Sequence, residues 1–85
     1  MTKEFYTYII LTEKNTYYCG YTDDLEKRFE KHKNGTAAKY TRVFKPVKFV
    51  YTKKFGTKSE AMKEECRIKS LTRKQKDDLI NNNLL

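Results

Sequence analysis

The start of the chain carries two near-continuous runs of aromatic and β-branched residues separated by a short polar stretch, the pattern of paired extended strands. Phe5 to Leu11 is rich in aromatic and β-branched residues, and so is Thr16 to Tyr21. The polar run Thr12 to Asn15 between them suits a turn. In the first strand Tyr6, Tyr8 and Ile10 share one face, while Phe5, Thr7, Ile9 and Leu11 share the other. Both faces carry apolar residues, so this strand is expected to be central and covered on both sides. The period then lengthens. Leu25, Arg28, Phe29 and His32 fall at i, i+3, i+4 and i+7, a core-facing helical stripe. Asp23 or Asp24 can N-cap this helix and Asn34-Gly35 can end it.

Thr36 to Pro46 reads as a loop, and Val47 to Thr52 as a third strand with Pro46 at its start. Phe55-Gly56 breaks that strand. Thr57 and Glu60 form a capping box that opens a helix running to about Leu71. Its apolar members Ala61, Met62, Cys66, Ile68 and Leu71 centre near Ala61 and Glu65, which places Glu65 inside the stripe and Glu60 and Glu64 toward its flank. Thr72 and Gln75 make a second capping box ahead of a last helix, Arg73 to about Ile80, which Leu79 and Ile80 would dock. Met1 to Glu4 and Asn81 to Leu85 are expected to fray. The order is β-β-α-β-α-α: an α+β fold with a small sheet flanked by helices, in a single domain spanning 1–85.

Composition narrows the choice of partner. A chain of 85 residues buries one modest core, and with no Trp and a mean hydropathy of -0.92 that core must come from Phe, Tyr, Ile, Leu and Val. Nineteen Lys and Arg against eleven Asp and Glu give a net charge of +8, which favours an anionic partner, nucleic acid first. A membrane surface would call for a long amphipathic helix with a basic face, and none is evident. Cys19 and Cys66 are far apart and form neither a metal-ligand spacing nor a disulfide framework. Both fall on apolar runs and are expected to be buried free thiols in a reducing cytosol. Neither a signal peptide nor a membrane-spanning apolar run is visible, so the expected location is cytoplasmic.

Candidate chemistry lies in polar residues that occupy apolar positions: Tyr8, Tyr18, Arg28, His32 and Glu65. Phosphodiester cleavage needs such an inventory. A carboxylate can hold a divalent cation, an arginine can bind phosphate through a planar fork, and a tyrosine can serve as a base if nearby positive charge lowers its pKa. The basic surroundings are expected to supply that charge. Each residue also has a structural alternative. The tyrosines can be core residues with satisfied hydroxyls, Arg28 can snorkel, His32 can interact with a helix dipole, and Glu65 can pair with Arg28 or Lys69. Lys39, Tyr40, Arg42 and Lys45 interleave cations with an aromatic in the Thr36–Pro46 segment, which suits a phosphate backbone and a stacked base, or else simply a solvated loop.

The spacing of these residues resembles the GIY-YIG nuclease family, in its small stand-alone bacterial branch. Thr7-Tyr8-Ile9 stands where the family has its first triplet and Tyr18-Cys19-Gly20 where it has the second. Arg28, His32 and Glu65 follow at the family's helix positions, and Ala38-Lys39-Tyr40-Thr41-Arg42, Pro46 and Ser59-Glu60-Ala61 look like the same branch. The resemblance implies a three-stranded antiparallel sheet and a metal-dependent endonuclease that hydrolyses DNA with weak sequence specificity, in repair or recombination. It implies that Tyr18 is the general base or hydrogen-bond partner of the attacking water and that Tyr8 orients that water. Arg28 would bind the scissile phosphate, Glu65 would hold a single Mg²⁺ or Mn²⁺, Gly20 would allow close approach, and His32 would assist proton transfer. Three departures, Thr7 for Gly, Cys19 for Ile and Tyr21 for Lys, keep open two alternatives: a nucleic-acid-binding module with weak catalysis, or a subunit of a DNA-processing complex.

Overall fold

The computed structural model describes residues 3–83, with Asn83 described in its backbone alone. Its elements are β1 (Phe5–Thr12), β2 (Tyr17–Thr22), α1 (Leu25–Lys33), α2 (Lys39–Val43), β3 (Pro46–Phe55), α3 (Lys58–Lys69) and α4 (Arg73–Asn83). The strands form a three-stranded antiparallel sheet in the order β2-β1-β3, so β1 is central as its two apolar faces require. The expected order holds with one addition. The Thr36–Pro46 segment contains the five-residue helix α2, which lacks a side-chain cap and buries only Thr41. A helix that short, without a cap or an apolar stripe, leaves no periodic signal in the sequence. Of the expected frayed ends, residues 1, 2, 84 and 85 lie outside the described residues, while Asn81–Asn83 continue α4.

Local chemistry sets the helix ends. Asp24 accepts from the Lys27 N–H at 3.1 Å, and Asp23 instead pairs with Lys3 at 2.7 Å. The Thr72–Gln75 capping box forms in full, whereas the Glu60 carboxylate accepts from the Thr57 hydroxyl at 3.0 Å and the Thr57 box is half formed. Thr57 accepts from the Glu60 N–H at 3.2 Å, and Thr72 and Gln75 exchange bonds at 2.9 and 3.2 Å.

The sheet separates two packed layers. On one face Ile9, Cys19, Tyr51, Ile68 and Ile80 form the core beneath α3 and α4. Each buried aliphatic side chain there contributes about 1.5–3 kcal/mol. On the other face Tyr8, Phe49, Phe29 and His32 pack under α1 and α2. A bulge in β3 lets it serve both layers. Ile9 pairs with Tyr51 but Ile10 pairs with Phe49, so Val50 is the extra residue and the two aromatics point to opposite faces. Tyr17 fastens α4 to the hairpin: its hydroxyl donates to Asp77 at 2.5 Å, and the Arg73 guanidinium lies 4.0 Å above its ring.

Two expectations about α3 are corrected. Cys66 is exposed, not buried, and Met62 is 43% exposed. On the helical wheel Ala61 and Ile68 lie within about 20° of each other, whereas Cys66 sits about 140° from Ala61. The buried line is therefore Ala61–Ile68, and two glutamates straddle it. Glu65 falls on the side facing β2. Glu64, expected on the flank, is the more buried of the two, accepting from the Tyr51 hydroxyl at 3.0 Å and from Arg67 at 2.6 Å.

Candidate active site

Tyr8, Tyr18, Gly20, Tyr21, Arg28 and Glu65 line one polar cleft of 250 Å³ at the β2 side of the sheet. Four elements and a register bring them together. Antiparallel pairing sets Tyr8 opposite Gly20, and Tyr18 shares the face of Gly20 two residues earlier on β2. The inward stripe of α1 delivers Arg28 to the same face. Glu65 arrives from the opposite layer, where the buried Thr7 hydroxyl donates to the Ala61 carbonyl at 2.7 Å and fixes α3 one turn before the glutamate. Thr7 thus ties α3 to the central strand.

Gly20 is demanded by Tyr8. A Cβ at position 20 would lie 2.5 Å from the Tyr8 hydroxyl oxygen and 2.8 Å from its Cζ. The close approach seen at this glycine is that of the tyrosine ring across the strand pair.

Behind the cleft runs a buried hydrogen-bond chain. We assign His32 the Nδ1–H tautomer: Nδ1 then donates to the Thr41 hydroxyl at 2.6 Å, and that hydroxyl's own proton is directed at the Ala38 carbonyl 3.3 Å away. In that tautomer Nε2 accepts the Tyr8 hydroxyl proton at 2.8 Å. The lone pairs of the Tyr8 oxygen are then presented to the cleft. His32 is 1% exposed, and its pKa is lowered to about 4, first by burial and then by the Arg28 charge. It is neutral at pH 7. The expectation that basic surroundings lower a tyrosine pKa fails at Tyr8. Burial pushes this phenol well above its ordinary value, Tyr18 adds to the rise, and Arg28 offsets only part.

Tyr18 is half-buried. Its ring meets His32 edge-on at 5.1 Å and stacks on Tyr40 at 5.9 Å. Among the described residues neither its hydroxyl nor the Arg28 guanidinium has a hydrogen-bond or ion-pair partner. Glu65 keeps 18% side-chain exposure and pairs with Lys69 at 3.6 Å, one of the two partners the sequence suggested. Cys19 faces away from the cleft toward α3, with Sγ 4.0 Å from the Glu65 carbonyl. Burial and then Glu65 push its thiol up to about 12, which makes it an inert core residue.

The basic segment does not converge on the cleft as a unit. Tyr40 reaches Tyr18, but Arg42 and Lys45 line a separate recess, and Lys39 is exposed on α2 in contact with neither. Two contributors were missed in the sequence. Tyr21, read only as a departure, lines the cleft with Lys58 6.0 Å above its ring, and Thr41 anchors His32. Thr41 lay in the motif Ala38–Arg42, but its hydroxyl's partner is nine residues away in sequence.

No group of three or more His, Cys, Asp or Glu side chains gathers among the described residues. The cleft instead offers one carboxylate beside an arginine. That donor set suits Mg²⁺ or Mn²⁺, hard cations that retain water and draw their remaining ligands from substrate phosphate. Among the described residues no helix is long and apolar enough to cross a membrane.

Residues 4–78 match the GIY-YIG catalytic domain, and the chain belongs to that family of nucleases, whose substrate is DNA and which use divalent metal ions. Within the family it is similar to UPF0213 proteins. It is 46% identical over 79 residues to one from Bacillus velezensis, covering 93% of this chain and 80% of that protein. The solution NMR structure of a UPF0213 protein from Bacillus halodurans has a TM-score of 0.60 at 40% identity, covering 92% of this chain and 83% of that one. That of a protein from E. faecalis has a TM-score of 0.64 at 41% identity, covering 94% and 85%.

Proposed function

We propose that this protein is a metal-dependent endonuclease that hydrolyses DNA phosphodiester bonds with weak sequence specificity, in repair or recombination. The observation that carries the reading is the joint presence of Tyr18, Arg28 and Glu65 in one polar cleft on a +8 chain. Arg28, free of internal partners among the described residues, binds the non-bridging oxygens of the scissile phosphate through its fork. Tyr8, its proton held by His32, accepts a hydrogen bond from the attacking water and orients it. Tyr18 holds the same water on the opposite side and takes its proton while passing its own phenolic proton to bulk water, as the new P–O bond forms and the bond from phosphorus to the leaving ester oxygen breaks, that oxygen taking a proton from solvent. Glu65 holds Mg²⁺ or Mn²⁺, which when bound supplies positive charge to the phosphoryl oxygens. His32 acts as the neutral acceptor that keeps Tyr8 in this orientation.

Binding of the cation is tested apart from turnover. Mn²⁺ titrated into isotope-labelled protein is expected to broaden amide signals around Glu65, Gly20 and Tyr21 first, and Glu65→Gln is expected to abolish that pattern. Broadening centred elsewhere, or unchanged in Glu65→Gln, contradicts the assignment.

A further inference from the structure

A second basic recess lies where the end of α1 meets α2. It has a volume of 240 Å³ and is lined by Lys33, Asn34, Gly35, Thr41, Arg42 and Lys45. Among the described residues Arg42 and Lys45 take part in no ion pair, and Lys33 reaches only Glu30 at 3.5 Å, an exposed contact worth little. A helix C-terminus attracts cations through its orphan carbonyls. Here three of those carbonyls are satisfied by backbone N–H groups. Glu30 O accepts from Asn34 at 3.0 Å, Lys31 O from Thr36 and Ala37 at 2.9 and 3.2 Å, and His32 O from Gly35 at 3.2 Å. Three cations therefore share one recess, two of them, Arg42 and Lys45, without an internal anion among the described residues, and like charges so placed repel unless an external anion joins them.

The recess is shaped as well as charged. Gly35 has φ 81°, and a Cβ there would lie 3.1 Å from Arg42 Cγ, so the glycine lets the arginine stem lie across the turn. Asn34 Oδ1 accepts from the Thr36 hydroxyl at 3.0 Å, which leaves its amide N–H groups as further donors. The recess also adjoins the cleft through three consecutive residues. Tyr40 stacks on Tyr18, Thr41 bonds His32, and Arg42 lines the recess.

We infer that this recess is a second phosphate subsite, which holds a backbone phosphate flanking the one bound at Arg28. The inference builds on the nuclease reading for its ligand, but its test needs no cleavage. Isotope-labelled full-length protein is titrated with inorganic phosphate at constant ionic strength. Saturable amide shifts at Gly35, Thr41 and Arg42 are expected, with none on adding chloride, and their loss is expected in the double variant Arg42→Gln/Lys45→Gln. DNA binding is then measured against salt in the presence of a chelator. Loss of one phosphate contact is expected to flatten the slope of log K against log salt by about 0.9. A charge-matched control, Lys53→Gln/Lys63→Gln, removes exposed lysines outside both sites and is expected to flatten it less. Phosphate shifts scattered over surface lysines without saturation overturn the inference, and so does a slope equal in the two double variants. A protein that shows the subsite but cuts no DNA overturns the nuclease reading alone. One that cuts DNA without showing the subsite overturns this inference alone.

Discussion

Replacing Gly20 by alanine places a methyl group where the Tyr8 ring already lies. The new carbon would sit 2.5 Å from the hydroxyl oxygen and 2.8 Å from Cζ, against an unstrained separation of about 3.5–4.0 Å. The ring has no ready escape, because it packs edge-on against His32 at 5.8 Å and Phe49 at 5.4 Å. Overpacking of this kind costs roughly 1–3 kcal/mol. Displacing the ring also breaks the 2.8 Å bond to His32, leaving a buried acceptor unsatisfied at a further cost of roughly 1–3 kcal/mol. The expected loss is therefore about 2–6 kcal/mol, a large share of the roughly 5–15 kcal/mol that holds a small domain together. Equilibrium urea denaturation measures it. Repeating the measurement in a Tyr8→Phe background isolates the coupling, because that background has already lost the hydroxyl. Gly20→Ala should cost about 1 kcal/mol less there. A loss below about 1 kcal/mol in the native background, or costs that add within about 0.5 kcal/mol, refutes the packing argument.

Three further outcomes follow from the same geometry. Thr41→Val removes the acceptor of His32 Nδ1–H, so stability should fall by about 1–3 kcal/mol and the His32 ¹⁵N shifts should report a changed tautomer; unchanged shifts contradict the assigned chain. The folded-state pKa of His32, about 4, lies below the ordinary histidine value of about 6.5, so the unfolded chain binds more protons between these values. The His32 contribution is therefore full above pH 6.5 and lost as pH falls toward 4, by roughly 2 kcal/mol at pH 4.5, a loss that His32→Gln should not show in urea titrations at pH 7 and 4.5. Iodoacetamide should modify Cys66 in the native protein and Cys19 only after unfolding; rapid native modification of Cys19 contradicts its placement in the core.

Much of the framework was legible because it obeys local rules. Apolar residues on both faces revealed the central strand, capping residues marked the starts of α1, α3 and α4, and a 3.6-residue period turned Arg28 and His32 inward. What stayed hidden depends on contacts distant in sequence. The pairing of Tyr8 with Gly20 is a matter of strand register, and the bulge that sends Phe49 and Tyr51 to opposite faces leaves no local mark. On α3 the hydrophobicity of Met62 and Cys66 pulled the expected stripe off the Ala61–Ile68 line, because Glu64 is buried through a bond to Tyr51 that no helix-local rule contains. Residue composition also misjudged the electrostatics of Tyr8. A net charge of +8 suggests a lowered phenol pKa, but desolvation acts at the site itself and outweighs the Arg28 charge.

The departures from the family triplets have structural uses. Thr7 bonds α3 through Ala61, and Cys19 fills the core beneath α3, so neither residue occupies the polar cleft. Tyr21 alone of the three lines it.

The most direct test of the active-site reading is the rate at which purified protein cuts DNA, assayed on single-stranded, duplex and branched DNA with Mg²⁺ or Mn²⁺, for the native chain beside Tyr18→Phe and Glu65→Gln. Native protein should cut at least one of these substrates. Both variants should lose at least about 100-fold in rate while remaining folded by circular dichroism. Cleavage that persists at the native rate in both variants, or a native chain that cuts none of the substrates with either metal, contradicts the account.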